Sequence, residues 1–210
     1  LSLPYTPGKN EAVGYLPGVY VDAKGQAQRI DGSAYDANSG SLLIPTGHFS
    51  VYGVGYTDPS AKFTDIGTHW GKEAIDYVVG RGLLSGTLET TFAPNTAMTR
   101  GMLMTALGRL DGVDTKAYTT NSFTDVKADS TFRPYIEWAY KKGIVQGIGN
   151  QQFAPDRAIT REEIAVIFAN YAKATGYKLP VTRETTTYAD ASSIGSTYKA
   201  AVTAMRQAAL

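Results

Sequence analysis

The sequence predicts an α+β chain: a strand-rich module over residues 1–60, then helical repeats to the end. Three observations carry this. Residues 1–60 hold turn chemistry and runs of β-branched and aromatic residues, without a helical period. From Phe63 the texture changes to helices separated by loops. A block of roughly sixty residues then returns, the mark of a repeat architecture.

Composition bounds the function classes. With 43% hydrophobic and 19% charged residues the chain is globular. Twenty basic against nineteen acidic side chains give a net charge of +1. That balance offers no electrostatic ground for nucleic acid or an anionic membrane as the main partner. Cysteine is absent, which excludes disulfides and thiolate metal sites. No apolar run approaches the ~18–20 residues that cross a bilayer. The opening Leu1-Ser2-Leu3-Pro4-Tyr5 does not read as a signal peptide, having neither a basic region nor an apolar core. The chain reads as a fragment of a longer protein, with the oligomeric state left open.

In the first module, Gly18-Val19-Tyr20-Val21 runs into Asp22-Ala23-Lys24-Gly25, a turn with glycine at the left-handed position. Tyr35-Asp36-Ala37-Asn38-Ser39-Gly40 does the same before Ser41-Leu42-Leu43-Ile44. His48 to Tyr56 is again β-rich. About four or five short strands in hairpins are expected, part of a sandwich-like module whose opening strands are missing. Asp58-Pro59-Ser60 is the expected junction, because proline disfavours helix at the residue before it.

The repeat is explicit. Phe63-Thr64-Asp65-Ile66 returns as Phe123-Thr124-Asp125-Val126, and Gly82-Leu83-Leu84-Ser85-Gly86 as Gly143-Ile144-Val145-Gln146-Gly147. Phe92-Ala93-Pro94 returns as Phe153-Ala154-Pro155, and Met98-Thr99-Arg100 as Ile159-Thr160-Arg161. A third copy opens at Tyr188-Ala189-Asp190 and runs out at Ala209-Leu210, where earlier copies have Gly82-Leu83 and Gly143-Ile144. The boundaries are 61–120, 121–182 and an incomplete 183–210.

Each copy predicts two helices. The first carries an apolar stripe: Trp70, Ala74, Tyr77 and Val78, then Ile136, Ala139 and Tyr140, then Tyr198, Val202, Met205 and Ala209. Glycine stops it. The second opens on a threonine. Thr160-Arg161-Glu162-Glu163 fits a capping box, whereas Thr99-Arg100-Gly101-Met102 lacks the acidic pair and predicts a looser start. Two short helices cannot bury a face alone, so the copies are expected to stack into one α-helical bundle with internal symmetry.

These motifs, in fixed order twice, resemble the S-layer homology (SLH) family over about residues 63–210. The hallmarks are Phe-x-Asp, Gly-(Ile/Leu)-(Ile/Val)-x-Gly, Phe-x-Pro and a Thr-Arg-Ala-Glu signature. The resemblance implies an all-α pseudo-threefold bundle that binds secondary cell-wall polysaccharide, often pyruvylated, in grooves between repeats. It implies a non-enzymatic anchor, without cofactor, for upstream modules of a larger surface protein. The place implied is the wall or S-layer of a Gram-positive bacterium. The strand-rich segment looks like the β-modules that precede such repeats in surface proteins.

Arg100 and Arg161 follow helix caps, where free amides and the helix dipole favour an anion and a guanidinium fork grips a carboxylate. The plainer reading pairs each with an acid such as Asp65 or Asp125. Thr99 and Thr160 stand beside them. Trp70 offers a face to a sugar or fills the core stripe, and Trp138 is expected in packing. Ser85 and Gln146 share a loop slot whose donors reach a ligand or merely close a turn. Asp65 and Asp125 are too symmetric for a glycosidase pair and suit a cap or groove role. His48 and His69 lack zinc-site spacing. A protein–protein scaffold for surface-layer assembly is the alternative, ahead of a fragment of a wall-glycan hydrolase.

Overall fold

The computed structural model describes every residue except 9, 10, 12, 31, 57 and 210. The chain divides into two compact units, residues 1–95 and 96–210.

In the first unit, strands β1 (Ser2–Pro4), β2 (Gly18–Val21), β3 (Ala27–Ile30), β4 (Ala34–Asp36), β5 (Ser41–Leu43) and β6 (Val51–Val54) form two antiparallel sheets. Their orders are β1-β5-β4 and β3-β2-β6. The turns form as their sequences require. Asp22 Oδ1 accepts the amides of Lys24 and Gln26 while Gly25 takes φ 77°. Asp36 accepts the Asn38 amide and Gly40 takes φ 61°. Six strands among the described residues replace the expected four or five; β1 and β4 are only three residues long. Leu16, Leu42 and Ile44 are buried between them.

Helix α1 (Lys72–Gly80) belongs to this unit too. Tyr15, from a 3-10 turn at Val13–Tyr15, lies so close that a Cβ on Gly80 would stand 2.0 Å from its ring. Burial pushes the Tyr15 hydroxyl up to about 12. Lys72 Nζ bridges Asp58 at 3.0 Å and Asp76 at 2.8 Å, and the buried Ser60 hydroxyl bonds both carboxylates. The expected junction at Asp58-Pro59-Ser60 is therefore tied to α1. The stripe expected on α1 is out of phase: Ile75 and Asp76 are buried, whereas Trp70, Ala74 and Tyr77 face solvent.

The second unit holds α2 (Arg100–Leu110), α3 (Arg133–Lys141), α4 (Arg161–Thr175) and α5 (Lys199–Gln207). Its core gathers Met104, Phe123, Ile136, Trp138, Ile144 and Phe153, so Trp138 is packing as expected. Helix α2 packs on α3, and α4 on α5. Gly101 and Gly108 let α2 approach closely: a Cβ at either would meet the rings of Phe132 and Tyr135 at 2.5 and 2.3 Å. The first helices stop on left-handed residues, Gly82 at φ 67°, Gly143 at 69° and Ala209 at 65°. Ala209 thus takes the glycine position of the earlier copies; Leu210 lies outside the described residues.

The expected all-α pseudo-threefold bundle from residue 61 onward is only partly formed. Each second helix gives its face to the first helix of the following copy, which makes two helix pairs. Helix α1 instead packs with the 3-10 turn in the sheet-bearing unit, and copy three contributes the single α-helix α5. The chain is α+β with five helices and two three-stranded sheets among the described residues.

Candidate functional site

Each repeat builds the same loop. The Asp125 carboxylate accepts the amides of Phe153 and Ala154 at 2.8 and 2.7 Å, turning Ala154 to φ 56°. Asp65 does this for Phe92 and Ala93 at 2.9 and 2.7 Å, with Ala93 at φ 61°. The Phe92 amide is the main reason the Asp65 carboxyl sits below its ordinary range. These aspartates cap loops by accepting backbone amides of Phe92, Ala93, Phe153 and Ala154.

The second helices start as predicted. Thr160 Oγ1 accepts the Glu163 amide at 3.3 Å, and Glu163 Oε2 accepts the Thr160 amide at 3.0 Å. At Thr99 the reciprocal partner is the Met102 thioether at 3.5 Å, a weaker acceptor than a carboxylate.

Arg100, first in α2, turns into the loop of the next repeat. Its Nε donates to Phe153 O at 2.9 Å and Nη2 to Gln146 O at 3.0 Å. The guanidinium lies 4.6 Å from the Phe153 ring centroid and 3.4 Å from Glu163 Oε1. Only 6% of this side chain is exposed, and burial lowers its pKa. Burial alone would raise the Glu163 carboxyl, but hydrogen bonds from Arg157 and Thr160 and both guanidinium charges outweigh it and hold the carboxyl low. Glu163 thus serves the cap and the joint at once, a link the sequence did not reveal because it spans 63 residues.

Above this joint opens a groove of about 500 Å³, lined by Arg100, Gln146, Gly147, Glu163, Asn170 and Tyr198. Three successive repeats contribute to it. Arg100 and Gln146 were expected at a site and meet here; Glu163, Asn170 and Tyr198 were not foreseen. A second groove of about 800 Å³ lies between α4 and α5, with Thr160, Arg161, Phe168, Val202, Met205 and Arg206 on its walls.

The other expected residues are scattered. Trp70 is 92% exposed, with its ring 5.4 Å from that of His69, and Ser85 is exposed on the first repeat's loop. Thr99 is the cap of α2. His48 packs against Tyr20. Among the described residues no cluster of three or more His, Cys, Asp or Glu side chains is placed to hold a metal, and no helix is long and apolar enough to cross a membrane.

Residues 62–101 and 122–165 match the family model described as the S-layer homology domain. They are S-layer homology repeats. The motifs that build the capped loops and helix entrances fall within or beside the matched stretches. An amylopullulanase of Thermoanaerobacterium thermosulfurigenes is 34% identical over 148 residues, 70% of this chain and 8% of that protein. An exoglucanase of Acetivibrio thermocellus is 33% identical over 140 residues, 66% of this chain and 12% of its own length. The surface-layer 125 kDa protein of Lysinibacillus sphaericus is 27% identical over 125 residues, covering 60% of this chain and 10% of that one. The chain thus spans 8–12% of the length of these relatives.

Proposed function

We propose that these S-layer homology repeats anchor a larger surface protein to the bacterial cell wall by holding a wall polysaccharide in the groove above Arg100. Likeness to surface-layer proteins supports the cell-surface placement in a Gram-positive bacterium. The relatives named as glycan-active enzymes share only a small part of their length with this chain, which supports an anchoring rather than a catalytic role for the shared part. The carrying observation is the groove's make-up. Tyr198 supplies an aromatic ring for a sugar to pack against, and Gln146 and Asn170 supply amide donors and acceptors. Glu163 and the fixed Gln146-Gly147 backbone complete a rigid polar floor.

In this reading Arg100 shapes the floor, since its donors already serve Phe153 O and Gln146 O. The test is co-sedimentation with purified sacculi. The parent chain should pellet, stripping the polysaccharide should release it, and Tyr198→Ala with Gln146→Ala should weaken binding about tenfold or more, on the order of 1–3 kcal/mol. Undiminished pelleting by a folded double variant would remove the groove from the mechanism.

A further inference from the structure

The residue after the helix-entrance arginine differs between copies one and two, and in each it meets the copy that follows. In copy one it is Gly101. A Cβ there would stand 2.5 Å from the ring of Phe132, the N-cap residue of α3, so this ring lies against bare backbone of α2. In copy two the same position on α4 carries Glu162, with a full side chain. The N-cap residue of α5 is Tyr198, and its ring lies elsewhere.

Glu162 Oε2 accepts the amide of Gly195 at 3.0 Å. A carboxylate bonded to a backbone amide makes one of the stronger hydrogen bonds, and both residues here are half-buried. The Gly195 carbonyl in turn accepts the Tyr198 amide at 2.9 Å, which closes the turn into α5. The Tyr198 ring lies over that turn: a Cβ on Gly195 would meet its Cδ2 at 2.8 Å and its Cε2 at 3.1 Å. Tyr198 makes no side-chain cap for α5, and it lines the groove above Arg100.

We propose that Glu162 is a positioning residue for this groove: by holding the Gly195 turn it sets the Tyr198 ring as the wall that copy three contributes. The floor, Arg100 with Gln146 and Glu163, comes from copies one and two, so the site is complete only when the third copy's turn is clasped to α4. This inference rests on the groove reading above and assigns the contact that keeps its aromatic wall in place.

The test uses the full chain in two measurements. Without ligand, nuclear Overhauser contacts between the Tyr198 ring and the Gly195 α-protons should be present in the parent. They should persist in Glu162→Gln, which keeps an acceptor oxygen, and vanish in Glu162→Ala. With purified sacculi, Glu162→Ala should raise the apparent Kd about threefold to tenfold, and Glu162→Gln should stay within about twofold of the parent. In a Tyr198→Ala background Glu162→Ala should cause no further loss, because the contact acts through that ring. A bond that only steadies the fold would cost the same in both backgrounds. Ring contacts that survive Glu162→Ala, parent affinity in that variant, or a full loss that persists without Tyr198 overturns the proposal. Failure of the groove reading looks different: the Tyr198→Ala, Gln146→Ala double variant then pellets like the parent, while the ring contacts still report whether Glu162 sets Tyr198.

Discussion

A guanidinium buried to the extent of Arg100 is stable only if its donors and charge are answered, because desolvation of an unpaired ion costs several kcal/mol. Two carbonyls and Glu163 answer it here. Glu163 is therefore the residue on which the joint turns. Its carboxyl is held below the ordinary 4.5, so its contribution is complete above that pH and is lost as pH falls through the lowered value. Glu163→Gln should cost about 1–3 kcal/mol at neutral pH, measured by urea unfolding. The gap to the parent should close in acid, where both side chains are neutral. A gap unchanged from pH 7 to acid would mean the charge is not what holds the joint.

At the scale of elements, α2 and α3 meet through glycines. Gly108→Ala gains up to ~1 kcal/mol of helix propensity, but the new methyl meets Tyr135 at 2.3 Å, and such overpacking costs about 1–3 kcal/mol. A net loss of roughly 1 kcal/mol is expected in denaturant midpoints; a gain would show that Tyr135 moves freely. Elements of this kind were unevenly legible. The Thr160 box and the glycine stops could be read because their partners lie within four residues. The two hydrogen bonds that the Asp125 carboxylate accepts from the Phe153 and Ala154 amides span 28 and 29 residues, and only their repetition hinted at a cap. The phase of α1 was misread because Asp76, a carboxylate, is buried through Lys72 and Ser60 while Trp70 is exposed. Hydrophobic periodicity has no means of registering a buried ion pair. Nor can it register Glu137, a buried carboxylate that accepts hydrogen bonds from the Thr120 and Ser122 hydroxyls rather than from a cation.

Across the whole molecule, apolar burial is divided: Leu16, Leu42 and Ile44 with Phe63, Ile66 and Ile75 in residues 1–95, and the larger cluster in residues 96–210. The repeat boundary in sequence and the compact boundary in space differ, because the first repeat contributes α1 to one unit and α2 to the other. Core damage should follow the spatial boundary. Ile136 is fully buried, and Ile136→Ala should cost about 2–5 kcal/mol. Hydrogen exchange should then show lost protection in α2, α3 and α4, while β2, β3, β5 and β6 keep theirs. If protection instead falls along repeat boundaries, with α1 failing beside α2, the sequence repeat would be the cooperative unit. If it falls everywhere equally, the chain would unfold as one.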